Sequence, residues 1–173
     1  LLQNLNLSFV SYDAKEKVFT EFNNFILPEQ SLTMYMVSLT GEYQRFFYST
    51  DVAIQQGDNH TSNQVVDANM INAKAGVKLE TSNKVKIYSQ FHRDTGDNAD
   101  TTDNNESYNP LFYNHFLNAG RMNLLGWGNL TSFSLGMTFR WSESTEVALE
   151  YNKFIRTSMD SGINGLSVTG TSP

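Results

Sequence analysis

Six basic side chains, Arg45, Lys74, Lys78, Lys84, Lys86 and Arg140, are expected on the polar side of a repeating two-residue pattern. Asp51, Glu146 and Glu150 stand against them on the same side. A wall with an excess of fixed positive charge concentrates anions and passes them along through weak, exchangeable contacts. The chemistry implied is conduction, and the six cations are the candidate lumen and solute-binding residues. The competing reading makes them the solvated face of an ordinary antiparallel sheet. Lys84 and Lys86 also lie beside a turn, where lysines are common.

Other reactive residue types carry weaker signals. Asp94, Asp97, Asp100, Asp103 and Glu106 follow one another in a stretch rich in Asn and Thr. Calcium takes such oxygen ligands, but this spacing of three is not that of an EF-hand loop. The stretch reads as a solvated surface loop, long enough to fold inward and narrow a pore. His60, His92 and His115 are far apart and lack metal-ligand spacing, and the chain has no cysteine. That removes disulfides and thiolate metal sites. Glu146 and Glu150 form a carboxylate pair of the kind glycosidases use, with no other supporting signature. Neither a phosphate-binding glycine loop nor a nucleophile elbow is present. No enzyme, metal or cofactor is expected. Tyr108, Phe112, Tyr113, Phe116 and Trp127 surround the long loop. They suit either a sugar-stacking platform or an interfacial girdle with packing that anchors the loop, and the girdle is the simpler reading. A net charge of −6 argues against nucleic acid as a partner.

The elements that must position these groups show in the alternation. Over residues 131–141, Phe133, Leu135, Met137, Phe139 and Trp141 share one side. Ser132, Ser134, Gly136, Thr138 and Arg140 share the other. Successive side chains of a strand point to opposite faces, so the stretch is apolar on one face and polar on the other. Small and charged residues on the polar face fit a wall with lipid outside and water inside. Hydrophobic content is 39%, and no run of about 18 apolar residues exists, which excludes a transmembrane helix but not a membrane β-barrel.

Eight strands are expected, at 5–12, 18–27, 32–40, 43–56, 66–79, 84–93, 129–141 and 145–155. Links within pairs are short, with turns at Gly41-Glu42, at Glu80 to Asn83 and at Ser142 to Ser144. Two of the three links between pairs, 57–65 and 94–128, are long, as in outer-membrane barrels. The link at 28–31 is a short exception on that side. The third strand is ambiguous, because Met34-Tyr35-Met36-Val37 is apolar on both faces. Lys153 falls on the supposed lipid face near the loop end, where it can snorkel to headgroups. The expectation is an all-β, antiparallel, transmembrane up-and-down β-barrel. The 173 residues form a single domain, an incomplete segment of a larger barrel, with an extracellular loop at 94–128.

Thr95-Gly96-Asp97-Asn98, then Tyr108-Asn109-Pro110-Leu111-Phe112, and Gly120 through Leu130 together resemble the alginate-export porins of the bacterial outer membrane. The resemblance covers roughly residues 40–155 and is most specific from Gly96 to Asn129. Two positions depart from the family pattern: Tyr113, where a proline is common, and Asn123, where an acid is usual. The resemblance implies a monomeric barrel of more strands than this chain supplies, with a charged lumen conducting an anionic polysaccharide or small anions. Its partners would be membrane lipid and lipopolysaccharide. Two alternatives compete: a soluble all-β carbohydrate-binding module with its apolar faces packed sheet on sheet, and a plugged structural barrel beneath another assembly.

Overall fold

A computed structural model describes residues 2–14, 18–20, 25–27, 30–60, 62–98, 100–101, 103–108 and 129–159. The described residues are all-β, without a helix. The strands are β1 (Leu2–Ala14), β2 (Val18–Thr20), β3 (Phe25–Leu27), β4 (Gln30–Tyr43), β5 (Phe46–Asn59), β6 (Gln64–Lys78), β7 (Lys86–Asp94), β8 (Asn104–Asn105), β9 (Leu130–Arg140) and β10 (Glu146–Arg156). Seven of them form an antiparallel meander in the order β1-β4-β5-β6-β7-β9-β10. The short β8 pairs in parallel with Val65 and Val66 of β6, beyond the Met70–Asp94 pair at which the β6–β7 ladder ends. β1 does not pair with β10, so the sheet is open, as a segment of a larger barrel would be.

Alternation decides which residues face which way, and the ladder carries that choice from strand to strand. Phe9 lies opposite Tyr35, Tyr35 opposite Ile54, and Val52 opposite Ile71. Phe91 opposes Phe133, and Leu135 opposes Tyr151. These residues share the outer face. Leu7 is 73% exposed there, Phe133 50%, Leu135 63% and Tyr151 67%. No second layer covers this face among the described residues, which is what a sandwich would need. A soluble monomer rarely exposes so large a contiguous apolar patch. On β5 the apolar outer positions run from Phe46 to Ile54. That is roughly 26 Å along the strand, or about 20 Å along the membrane normal at a ~40° tilt, near the height of an outer-membrane belt. Beyond the belt the same face turns polar at Gln56, Asp58, Asp67, Asn69 and Arg93.

Three expectations need correction. The strand expected at 18–27 is a small hairpin, with Val18 opposite Leu27, in a sheet of its own. β1 therefore pairs directly with β4, and the short link at 28–31 joins that hairpin to β4 rather than two spanning strands. The link expected at 57–65 is mostly strand, because β5 and β6 pair as far as Asn59 and Gln64. The turn between β4 and β5 is at Gln44-Arg45, past Gly41-Glu42, and Gln44 adopts a φ of 54°. The belt explains the register there: Tyr43 opposite Phe46 keeps both aromatics at the outer edge, and Gly41 stays in the ladder opposite Tyr48.

Candidate functional site

The inner face changes character along its height. At the short-turn end the positive charge gathers. Lys78 and Lys86 are register partners on β6 and β7, and Thr138 of β9 follows in the same row. Arg45 sits in the β4–β5 turn, and its carbonyl accepts a hydrogen bond from the Lys78 amide at 2.7 Å. Lys84 lies in the β6–β7 turn with a φ of 46°, so it belongs to the rim rather than to a strand face. The neighbouring Asn83 carbonyl accepts from the Arg140 amide at 2.7 Å. Five of the six sequence-proposed cations thus meet at one rim. Acids temper them: Glu42 on β4 pairs with Lys78 at 2.5 Å, and Glu146 is the register partner of Arg140. Lys74 stands apart, halfway up the wall, with Nζ 3.8 Å from the centre of the Tyr88 ring.

In the middle of the wall, neutral and charged polar groups bond across the strands. Asn72 Nδ2 donates to Asp51 Oδ2 at 3.1 Å, and Gln90 Nε2 donates to Asn72 Oδ1 at 2.9 Å. Tyr88 donates its hydroxyl to Glu150 at 2.7 Å, Asn152 Nδ2 donates to Glu150 at 2.8 Å, and Ser134 donates to Asn152. Gly136, directly opposite Tyr88 on β9, allows the ring to lie flat, because a Cβ there would overlap it. Asn72, Gln90 and Ser134 are buried although they belong to the polar face. Their burial, against the exposure of Phe133 and Leu135, shows that the sheet curls around this side. Sequence reasoning put Asp51 and Glu150 here but did not single out Asn72, Gln90, Ser134 or Asn152. The available signal was uncharged hydrogen-bonding residues at inner positions of adjacent strands.

At the long-loop end the inner face is buried, and an apolar cluster sits there beside the buried polar side chains of Gln55, His92 and Asp94. Met34, Ala53, Ala68 and Met70 form a buried cluster, and Tyr108 from the long loop completes it at 1% exposure. This resolves the ambiguity of the Met34–Val37 stretch: Tyr35 and Val37 face outward, while Met34 packs under the loop. Tyr108 belongs to inward packing that anchors the loop, not to a girdle; Phe112, Tyr113, Phe116 and Trp127 lie outside the described residues.

The loop's two ends are tied together. Tyr108 and Asn129 both donate their amides to the Thr95 carbonyl, at 3.1 and 3.2 Å. Leu130 donates its amide to the Asp94 carboxylate, and the other oxygen of that carboxylate lies 3.1 Å from His92 Nε2. The Asn129 side chain bonds Ser158 twice, and Gly96 leaves room for it, since any Cβ at 96 would collide with the Asn129 amide. Asp97 Oδ1 accepts from the Glu106 amide at 3.2 Å, so one of the loop acids serves the loop's own backbone. Among the described residues no three acids or histidines are grouped to hold a metal ion.

Gly96, Asp97, Tyr108 and Asn129, from the most specific part of the sequence resemblance, therefore converge with Thr95 on one knot. The family model described as alginate export matches residues 26–171. The chain belongs to the alginate export family. No curated protein matches it. Alginate export is a transport family, and membership implies an export channel of the Gram-negative outer membrane. The open, one-side-apolar sheet fits a segment of such a barrel.

Proposed function

We propose that the chain forms part of the wall of an outer-membrane channel through which anionic solutes or an anionic polysaccharide pass passively. The observation that supports this best is the two-sidedness of one sheet. Its outer face exposes a continuous apolar belt, and its inner face is polar with Arg45, Lys78, Lys84, Lys86 and Arg140 gathered at one rim. Cations on a water-filled rim raise the local concentration of anions without holding them tightly. Lys74, cushioned on Tyr88 and near the Glu150 carboxylate that Tyr88 binds, contributes less free charge midway. The test is reversal potential in planar bilayers under a salt gradient. Neutralising Lys84, Lys86 and Arg140 together is expected to move the potential toward cation preference. Unchanged selectivity in a conducting variant would refute the lumen assignment.

The inward-folded loop supports a second, narrower reading, a barrel restricted at its long-loop end. Tyr108 over Met34 and Met70 brings the loop onto the inner wall. Larger conductance steps after undocking the loop would establish this restriction; unchanged steps would refute it.

A further inference from the structure

Among the described strand positions of the outer face there are only two basic residues, Arg93 on β7 and Lys153 on β10. They are close neighbours. Both flank β9, Arg93 opposite Thr131 and Lys153 opposite Phe133. They stand two strands and one same-face row apart, about 12 Å between backbones, a span that two long basic side chains close around one small anion. Both residues are exposed, and neither forms an ion pair within the described residues. Thr131, beside Arg93 in the ladder, shares a hydroxyl hydrogen bond of 2.8 Å with Thr157, which lies past Ile155 from Lys153. Phe91 and Phe133 lie in the row of Lys153, one row below Arg93, with their rings 5.0 Å apart, and Tyr151 lies one row further toward the middle of the belt. The acids of this collar, Asp58 and Asp67, are on β5 and β6, and Asp67 is four residues along β6 from Ile71, the partner of Arg93.

This is the order of groups in a phosphorylated glycolipid: acyl chains, then phosphate and sugar hydroxyls at the interface. Two like charges left facing lipid would repel each other and lose hydration, a cost that is small only near the interface. An anion between them removes both penalties and gains charge-assisted hydrogen bonds. We propose that Arg93 and Lys153, with the Thr131–Thr157 hydroxyl pair, bind the phosphorylated headgroup of the outer-leaflet glycolipid, with Phe91, Phe133 and Tyr151 against its acyl chains. The proposal rests on the outer-membrane reading, with the long-loop end facing outward.

The experiment uses the full-length protein refolded in detergent, with binding of bisphosphorylated lipid A, dephosphorylated lipid A and phosphatidylglycerol measured by native mass spectrometry. The wild type is expected to bind bisphosphorylated lipid A in preference to both others. Arg93→Gln with Lys153→Gln should weaken that binding roughly thirtyfold, from about a factor of five for each interfacial charge, multiplied with the loss of their joint grip. Arg93→Lys should keep most of it. Heat-modifiable gel migration checks that each variant is folded. Equal binding by the folded double variant would overturn the site, and so would equal binding of phosphatidylglycerol, which would show general anion attraction. Conductance of the double variant should be unchanged, so an absence of channel activity in the wild type would strike the channel reading and leave the lipid result standing.

Discussion

Replacing Tyr108 by alanine should release the long loop while leaving the sheet intact. Tyr108 is 1% exposed and seated on Met34, Ala53, Ala68 and Met70. Truncating a fully buried aromatic costs about 3–5 kcal/mol in a packed core. Here the ring packs against one wall, and its hydroxyl contact to the Met34 sulfur, 3.7 Å, is weak. The lower end, about 3 kcal/mol, is therefore the better figure, and at about 1.4 kcal/mol per tenfold it raises the undocked population more than a hundredfold. The cost falls on the loop, because the ladder bonds of β4 to β6 do not involve Tyr108. The reporter is amide hydrogen exchange at Val65, which donates to the Asp103 carbonyl at 3.0 Å only while the loop is docked. Exchange at Val65 and across 104–108 should accelerate about a hundredfold. Amides of β9 and β10 should keep their protection. Unchanged exchange at Val65 would refute the docking energetics, and loosening that spread to β9 and β10 would refute the separation of loop from sheet.

Gly136→Ala should force the Tyr88 ring off β9 and break its 2.7 Å bond to Glu150, costing about 1–3 kcal/mol in urea unfolding from vesicles; adding Tyr88→Ala should recover part of that loss, and full additivity would show that the two do not touch. Glu42→Gln should change stability by less than about 1 kcal/mol, since its pair with Lys78 is partly exposed, yet shift the reversal potential toward anions. Leu135→Arg, in the middle of the apolar belt, should cost about 2–4 kcal/mol in vesicles, whereas Thr138→Lys on the inner face should cost much less; equal costs would contradict the facing of β9.

The sequence was most legible where each strand has lipid on one side and water on the other. Phe133, Leu135 and Ile87 alternate with Ser132, Ser134 and Lys86, and the structure faces them accordingly. It was least legible above the belt. At Gln56 to Asn59 both faces are polar, so no alternation marks the strand, and Gly57 and Asp58 resemble turn residues although they continue the ladder opposite Val66 and Val65. The stretch 18–27 carries enough apolar residues for a strand, but it folds on itself as β2 and β3 instead of adding to the sheet. The buried patch at Met34 and Met70 was hidden for a different reason. It is completed by Tyr108, 74 residues from Met34, and no local pattern encodes that contact. The cations were legible as residue types; their gathering at one rim depends on register, which sets Lys78 beside Lys86 and brings Arg140 to the Asn83 turn.

The decisive measurement uses the absence of native cysteine to place single spin labels along β9 and β10 of the protein in lipid vesicles, reading accessibility to oxygen and to a water-soluble nickel chelate. Labels at 133, 135, 137, 149 and 151 should be reached by oxygen and not by nickel. Labels at 134, 138, 148 and 150 should show the opposite. A period of two with that phase places the greasy side of the ribbon in hydrocarbon. Uniform accessibility, or the inverse phase, would contradict it.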